Sequence, residues 1–280
     1  MEVKRLKKLL KKYQIRPSKR LGQNFLIDKE IVKKVIGAAD LSPEDVILEI
    51  GPGLGVLTIE LAKKAKKVIT IEKDQKMIEI LKETLTGLKN VEVIKGDILK
   101  FQISDFGFRI FKVVANLPFY LTAPVIRKFL ETNGVRPHQL VLVVQKEVGQ
   151  RICAKPPDMS ILAVSVQFYA QPKIISYVSK KSFWPQPKVD SAIIKITPIS
   201  AVMFDRTYLR KKKREKFFKI VRAGFSQPRK QLINNLSKGL KIDREKIKNW
   251  LLENNIQPTQ RAETLSINDW LKLTKSFRIG

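Results

Sequence analysis

The chain carries little sulfur or imidazole chemistry and no membrane-crossing segment. Among 280 residues there is one cysteine, Cys153, and one histidine, His138. A lone thiol excludes an internal disulfide and a cysteine-built zinc site. A lone imidazole gives histidine catalysis or metal binding almost nothing to work with, so His138 is expected on the surface and no metal is expected. No apolar run reaches the ~18 residues that a membrane helix needs, and no apolar signal core follows the basic start. A cytoplasmic protein without a membrane partner is expected. Acidic residues are also scarce: 26 Asp and Glu stand against 55 Lys and Arg, a net charge of +29.

That excess is unevenly placed. Residues 1–20 hold nine basic side chains and one acidic, and residues 201–280 hold twenty and seven. The 180 residues between carry only the remaining +8. Lysine enrichment for solubility or for a hot-living host would not gather at the two ends. Two basic ends are the electrostatic footprint expected of a protein that grips a phosphate polyanion.

Residues 1–16 have a helical pattern with a basic face (Lys4, Lys7, Lys8, Lys11, Lys12), which Pro17 ends. Asp28 is placed to cap a helix running to about Ala39. Strand-like runs then recur at Val46–Ile50, Lys67–Ile71, Val91–Ile94, Lys112–Ala115 and Leu140–Gln145, with helical patterns near 55–65, 74–87 and 122–132. This alternation predicts a parallel sheet with helices on both faces. Residues 146–170 have a helical pattern with a break at Pro156-Pro157. Lys173–Val178 and Ser191–Thr197 are joined by a stretch too short for a crossover helix, so they should pair antiparallel. Beyond Pro198 the periodicity is helical, with Asp243 and Ser266 as caps. The expected architecture is an α/β, Rossmann-like domain with a mostly parallel seven-stranded sheet ending in an antiparallel hairpin, plus a small all-α C-terminal domain. Its expected bounds are a basic N-terminal segment over 1–27, the α/β domain over 28–203 and the helical domain over 204–280.

The turn Glu49-Ile50-Gly51-Pro52-Gly53-Leu54-Gly55 follows the first strand and opens a helix. Glycines there allow a sharp turn and close approach of backbone to ligand. Glu72 ends the second strand about 20 residues on, where an acid can bind both ribose hydroxyls. Asp97 follows the third strand, placed to accept from an adenine amino group. A dinucleotide site needs G-x-G-x-x-G and phosphate at the helix start. Here the third glycine comes one residue early, and Glu49 would repel pyrophosphate while tolerating a cationic methionine moiety. S-adenosylmethionine therefore fits better than a nicotinamide dinucleotide, with Gly51 and Gly53 in its turn.

At the end of the fourth strand stands Asn116-Leu117-Pro118-Phe119, followed by Tyr120. Strand carboxyl ends are where ligands bind in open α/β sheets. An amide, a proline-stiffened backbone and an aromatic suit the holding of a flat, amino-bearing base. The Asn116 side-chain oxygen and the Leu117 carbonyl would accept from the amine, with Phe119 the first stacking partner, Phe183 the second and Tyr120 nearby. Such a base must be flipped out of paired or stacked RNA to reach the site.

Several stretches in order resemble the rRNA adenine N6-dimethyltransferases, and within them the small-subunit (16S) type. They are Gly22-Gln23-Asn24-Phe25-Leu26, Glu49 through Gly55, Asn116 through Phe119, Gln145-Lys146-Glu147-Val148, Phe183 with Pro185 and Pro187-Lys188-Val189-Asp190-Ser191, Arg222 through Phe225, Arg229 through Leu232 and Arg261 through Leu265. The resemblance implies cofactor contacts at Asn24, Leu26, Gly51, Glu72, Asp97 and Asn116. It also implies a target of two adjacent adenines in the 3′-terminal hairpin of small-subunit rRNA, within the immature 30S subunit, each methylated twice on N6. Phe119 replaces the commoner tyrosine and keeps the stacking face. The family's Tyr-Gly near Asp158-Met159 is absent. The expected phosphate ligands are Arg210, Lys211, Lys212, Lys213, Arg214, Lys219, Arg222, Arg229 and Lys230, on a protein expected to be a monomer. Two other readings stay open. One is the related large-subunit (23S) rRNA dimethylase of the macrolide-resistance type. The other is a non-catalytic rRNA-binding assembly factor or mitochondrial-type transcription factor on the same fold.

Overall fold

Short apolar runs separated by helical periods produce the expected alternation. The computed structural model describes residues 3–18, 21–103, 107, 111–131, 135–199 and 211–278, the side chain of Lys211 excepted. The first helix, α1 (Val3–Lys12), buries Leu6, Leu9 and Leu10 and leaves its lysines exposed. It stops short of residue 16 because Gln14 turns left-handed (φ 51°) and the Ile15 N–H donates back to the Leu10 carbonyl at 2.8 Å, a helix-closing pattern. There follow β1 (Phe25–Leu26), α2 (Lys29–Ala38), β2 (Val46–Ile50), α3 (Val56–Ala62), β3 (Lys67–Glu72), α4 (Gln75–Thr84), β4 (Val91–Lys95) and β5 (Lys112–Asn116). Next come α5 (Thr122–Leu130), β6 (Gln139–Gln145), α6 (Lys146–Ile152), α7 (Ile161–Gln167), β7 (Ala170–Val178), β8 (Phe183–Trp184) and β9 (Ser191–Pro198).

Seven strands form one sheet in the order β4-β3-β2-β5-β6-β9-β7. Pairs β3–β4, β2–β3, β2–β5 and β5–β6 are parallel, whereas β9 runs antiparallel to β6 and lies beside β7. This is the expected mostly parallel sheet with an antiparallel end. Strand order reverses between β2 and β5, so a crevice opens at their carboxyl ends. Asp28 caps α2 as expected, accepting from the N–H groups of Glu30 and Ile31.

A second, two-stranded ladder pairs Phe25 with Trp184 and Leu26 with Phe183, and periodicity gives no sign of it. It corrects one expected role. Phe183 is 4% exposed within the apolar cluster of Leu26, Val35, Val178 and Ile193, so its ring is core and not a platform for a base.

Two units divide the chain: Met1–Gly149 with Gln171–Pro198, and Gln150–Ala170 with Ile199–Gly280. The expected bounds differ from this in two ways. Residues 1–27 are no separate segment, since Leu6, Leu10, Ile15 and Phe25 share a cluster with Leu54, Met77 and Ile80. Residues 150–170 group with the C-terminal helices and not with the sheet. Within that second unit the Phe168 ring lies 4.3 Å from Phe217, and the Met159 N–H donates to the Glu263 carbonyl at 2.9 Å. The expected cut at 203/204 itself lies outside the described residues. After Pro157 the Asp158 N–H closes a turn on the Lys155 carbonyl, and Ser160 caps α7.

The second unit also holds α8 (Lys211–Gly224), α9 (Leu232–Leu240), α10 (Arg244–Glu253) and α11 (Ile267–Ser276), with Asp243 and Ser266 capping α10 and α11 as expected. No helix among the described residues is long and apolar enough to cross a membrane.

Candidate functional site

The turn after β2 shows why glycine is needed there. Gly53 has φ 58°, and a Cβ on it would stand 3.2 Å from the Phe25 ring. The Phe25 ring thus takes the space that a side chain at position 53 would need, and a cavity of about 340 Å³ lies at the ends of β2, β3, β4 and β5. Segment 21–26 crosses it. The volume suits a small-molecule ligand of nucleoside size.

The structure brings all seven expected cofactor residues together. Asn24, Leu26, Gly51, Gly53, Glu72, Asp97 and Asn116 all line this cavity, as do Pro118 and Tyr120. Glu72 is 8% exposed. One of its oxygens accepts from the Lys73 and Asp74 N–H groups, each at 2.8 Å, and the other from Gly53 at 3.4 Å. Burial raises its pKa against those three hydrogen bonds. Asp97 accepts from the Lys73 ammonium at 2.9 Å and the Leu99 N–H at 3.0 Å, and the Lys73 hydrogen bond leads in holding its carboxyl below the usual range.

Glu49 is the acid whose environment sequence reasoning undervalued. It is 1% exposed, it accepts from the Thr58 hydroxyl at 2.6 Å, and burial pushes its pKa up to about 8. Thr58 sits nine residues away across the glycine turn, and only the turn's geometry brings it to Glu49. Two buried acids in one cavity, with the lining Lys73 engaged by Asp97, favour a cationic ligand that also offers hydroxyl donors. An adenosine-bearing sulfonium has that chemistry, so the residues fit the expected cofactor.

A pH dependence follows. Without a cation beside it, burial keeps Glu49 neutral below pH about 8. A bound cation favours its carboxylate, so binding at pH 7 should release a proton, and affinity should rise as pH rises toward about 8. The stability sign agrees: the folded pKa lies above the ordinary 4.5, so this group's contribution is complete below 4.5 and lost as pH climbs through about 8. Calorimetry in buffers of different ionisation enthalpy reads the proton count. Proton uptake on binding would contradict the assignment.

Around the expected catalytic stretch, the Asn116 amide donates through Nδ2 to the Asn24 carbonyl at 3.0 Å. A carbonyl only accepts, so this contact fixes which end of the amide it faces and leaves Oδ1 as the acceptor end. The Leu117 side chain is buried, and its N–H donates to the Val143 carbonyl at 3.2 Å, which ties the motif to β6. Pro118 leads into a 3-10 turn, Phe119–Leu121. Phe119 is half-buried in that turn, while Tyr120 is 52% exposed and on the cavity wall. Leu117 and Phe119 are not among the lining residues.

In the second unit Lys212, Lys213, Lys219, Arg222, Arg229 and Lys230 are exposed and Arg214 is half-buried. On α8, Lys212, Lys219 and Arg222 share the face opposite the buried Phe217, Ile220 and Val221. Arg210 and the side chain of Lys211 lie outside the described residues. His138 is exposed as expected, and Cys153 is half-buried with its thiol pushed up to about 11 by burial. Among the described residues no group of His, Cys, Asp and Glu could hold a metal ion.

Residues 15–278 match the family model described as Ribosomal RNA adenine dimethylase. A protein of Dehalococcoides mccartyi named Ribosomal RNA small subunit methyltransferase A is 44% identical over 97% of this chain and 92% of its own length. A protein of that name from Alkaliphilus metalliredigens is 42% identical over 96% and 94%. Among solved structures, a Plasmodium falciparum dimethyladenosine transferase superposes with TM-score 0.72 at 30% identity, covering 89% of this chain and 95% of that one. The 23S rRNA methyltransferase ErmE gives TM-score 0.74 at 25% identity, covering 90% and 98%.

Proposed function

The chain belongs to the ribosomal RNA adenine dimethylase family, and from that membership we propose that it dimethylates N6 of two adjacent adenosines in the 3′-terminal hairpin of small-subunit rRNA, using S-adenosylmethionine, during assembly of the small subunit. The observation that carries this reading is the junction of two half-sites. A cavity walled by the buried Glu49 and Glu72 adjoins the Asn116 amide at the neighbouring strand end. Bound there, S-adenosylmethionine supplies an electrophilic methyl group on a cationic sulfur.

The chain's own residues do the rest. Glu72 accepts from the ribose hydroxyls and Asp97 from the adenine amine, with Asn24, Leu26, Gly51 and Gly53 enclosing the cofactor. An exocyclic adenine nitrogen is a poor nucleophile, because its lone pair is delocalised into the ring. Asn116 Oδ1 and the Leu117 carbonyl accept its two N–H groups and draw the nitrogen toward tetrahedral geometry, freeing the lone pair for the methyl. Once methylated the nitrogen is strongly acidic and water takes its proton, so positioning supplies most of the rate. Phe119 stacks on the extruded base, an interaction worth ~1–3 kcal/mol, with Tyr120 at the rim.

Small-subunit specificity is favoured over the large-subunit alternative by the relatives named for the small subunit at 42–44% identity, against 25% for the large-subunit enzyme. The intact Asn116–Phe119 stretch and the acidic cavity favour an enzyme over a non-catalytic assembly or transcription factor. Labelled methyl transfer onto undermethylated small and large subunits tests both choices. Incorporation into small subunits alone is expected, and label in the large subunit, or in neither, would overturn the reading.

The second unit grips RNA through phosphates. Changing Lys212, Lys219, Arg222, Arg229 and Lys230 to glutamine should weaken RNA binding. It should also flatten the plot of log affinity against log salt by roughly 0.7–0.9 for each phosphate contact removed. An unchanged slope would place the footprint elsewhere.

A further inference from the structure

Segment 21–27 is more than a wall of the cavity. Asn24 gives its carbonyl to the Asn116 amide at 3.0 Å, so the orientation of the proposed amine-holding group depends on where this strap lies. Gly22 brings the strap onto the catalytic stretch: it has φ 63°, and a Cβ there would stand 3.0 Å from Pro118 Cβ. One side chain fastens the strap on its other flank. Gln23 Oε1 accepts from the Ser18 N–H at 2.8 Å, and Gln23 Nε2 donates to Asp74 Oδ2 at 2.9 Å. Asp74 is itself fixed twice. Its Oδ1 caps α4 by accepting from Lys76 at 3.0 Å, and its N–H donates to the Glu72 carboxylate at 2.8 Å.

We propose that Gln23 is a positioning residue for methyl transfer: by stapling the strap to Asp74 at the start of α4, it holds the Asn24 carbonyl where it orients the Asn116 amide. A continuous hydrogen-bonded route thus runs from Glu72 through Asp74 and Gln23 to the strap and Asn116. The carboxylate expected to hold the cofactor ribose and the amide expected to hold the target amine are set by one piece of backbone. Both polar ends of the Gln23 side chain are engaged by Ser18 and Asp74, so its part is to hold the strap. A glutamine is required by polarity, since one end of the side chain must accept from an N–H while the other donates to a carboxylate.

The inference rests on the proposed reaction, and the experiment separates the two. Single-turnover methyl transfer to small-subunit RNA is measured for the wild-type protein, Q23A, Q23E and the double variant Q23E/D74N. Transfer by the wild type alone decides the reaction. Q23A should lower kcat ~10- to 100-fold, the scale of a misplacement near 1 Å, with cofactor KM, RNA affinity and thermal midpoint little changed. Q23E should be slower still, because two carboxylates then face each other. In Q23E/D74N the donor sits at position 74 and the acceptor at 23, the side-chain oxygen at 74 still caps Lys76, and the rate should return close to wild type. A wild-type kcat in Q23A, or a double variant as slow as Q23E, would overturn the proposal. So would a loss confined to thermal stability and cofactor KM.

Discussion

Asn116→Ala is expected to lower methyl transfer by roughly 10²–10³-fold, the usual cost of removing one preorganised polar group at a reacting centre, while RNA affinity stays near wild type. The amide is set from two directions, since its Nδ2 is engaged by the Asn24 carbonyl and the next residue is tied to β6 through the Val143 carbonyl. Alanine removes the side-chain acceptor without disturbing the strand, whose pairing with β6 runs through backbone. On the proposed mechanism only one of the two acceptors for the amine then remains, and the nitrogen stays closer to its planar, unreactive form. Affinity should be spared because the proposed phosphate grip of the second unit and the proposed stacking on Phe119 do not involve the Asn116 side chain. Transfer at the wild-type rate would remove Asn116 from the chemistry. A parallel collapse of RNA binding would show that the residue shapes the surface instead.

Glu72→Ala is expected to weaken S-adenosylmethionine binding by about 10²-fold, on the basis of ~1.5–3 kcal/mol for each hydrogen bond to a charged group. The carboxylate is 8% exposed and already organises the N–H groups of Gly53, Lys73 and Asp74. Truncation removes the proposed ribose acceptor and leaves those three donors unanswered. Glu72→Gln keeps one acceptor oxygen and should fall between alanine and wild type. Calorimetric titration of each variant gives the ordering. Equal affinity in all three proteins would take the residue out of the site, and circular dichroism shows whether any loss of affinity is instead a loss of the fold.

Much of this site could be read in the sequence, because its parts sit where strong local signals end. Apolar runs such as Val46–Ile50 and Lys112–Asn116 are buried strands, and the residues just past a parallel strand's carboxyl end have few places to go. That logic located the glycine turn, Glu72, Asp97 and Asn116 together. It had no purchase on two-residue pairings. The ladder of Phe25–Leu26 with Phe183–Trp184 carries no period, so Phe183 looked like a free aromatic when it is core.

Residues 150–170 show another limit. Their apolar pattern says that a face is buried, not against which core, and contacts such as Phe168–Phe217 and Met159–Glu263 reveal the partner. Gln23 and Thr58 were hidden for a related reason. Each is an unremarkable polar residue whose meaning comes from a partner 51 or nine positions away. Burial was the least legible quantity: Glu49 could be placed at the site, but not the seclusion that raises its pKa to about 8.

The central claim concerns one nitrogen, and product chemistry tests it most directly. Undermethylated small subunits are incubated with the protein and methyl-labelled S-adenosylmethionine, and the RNA is then digested to nucleosides and resolved by mass spectrometry. The account predicts N6-methyladenosine followed by N6,N6-dimethyladenosine at two neighbouring positions of the 3′-terminal hairpin, with neither product formed by the Asn116→Ala protein at comparable times. A methyl group on a ring nitrogen, on another base or on ribose would contradict it.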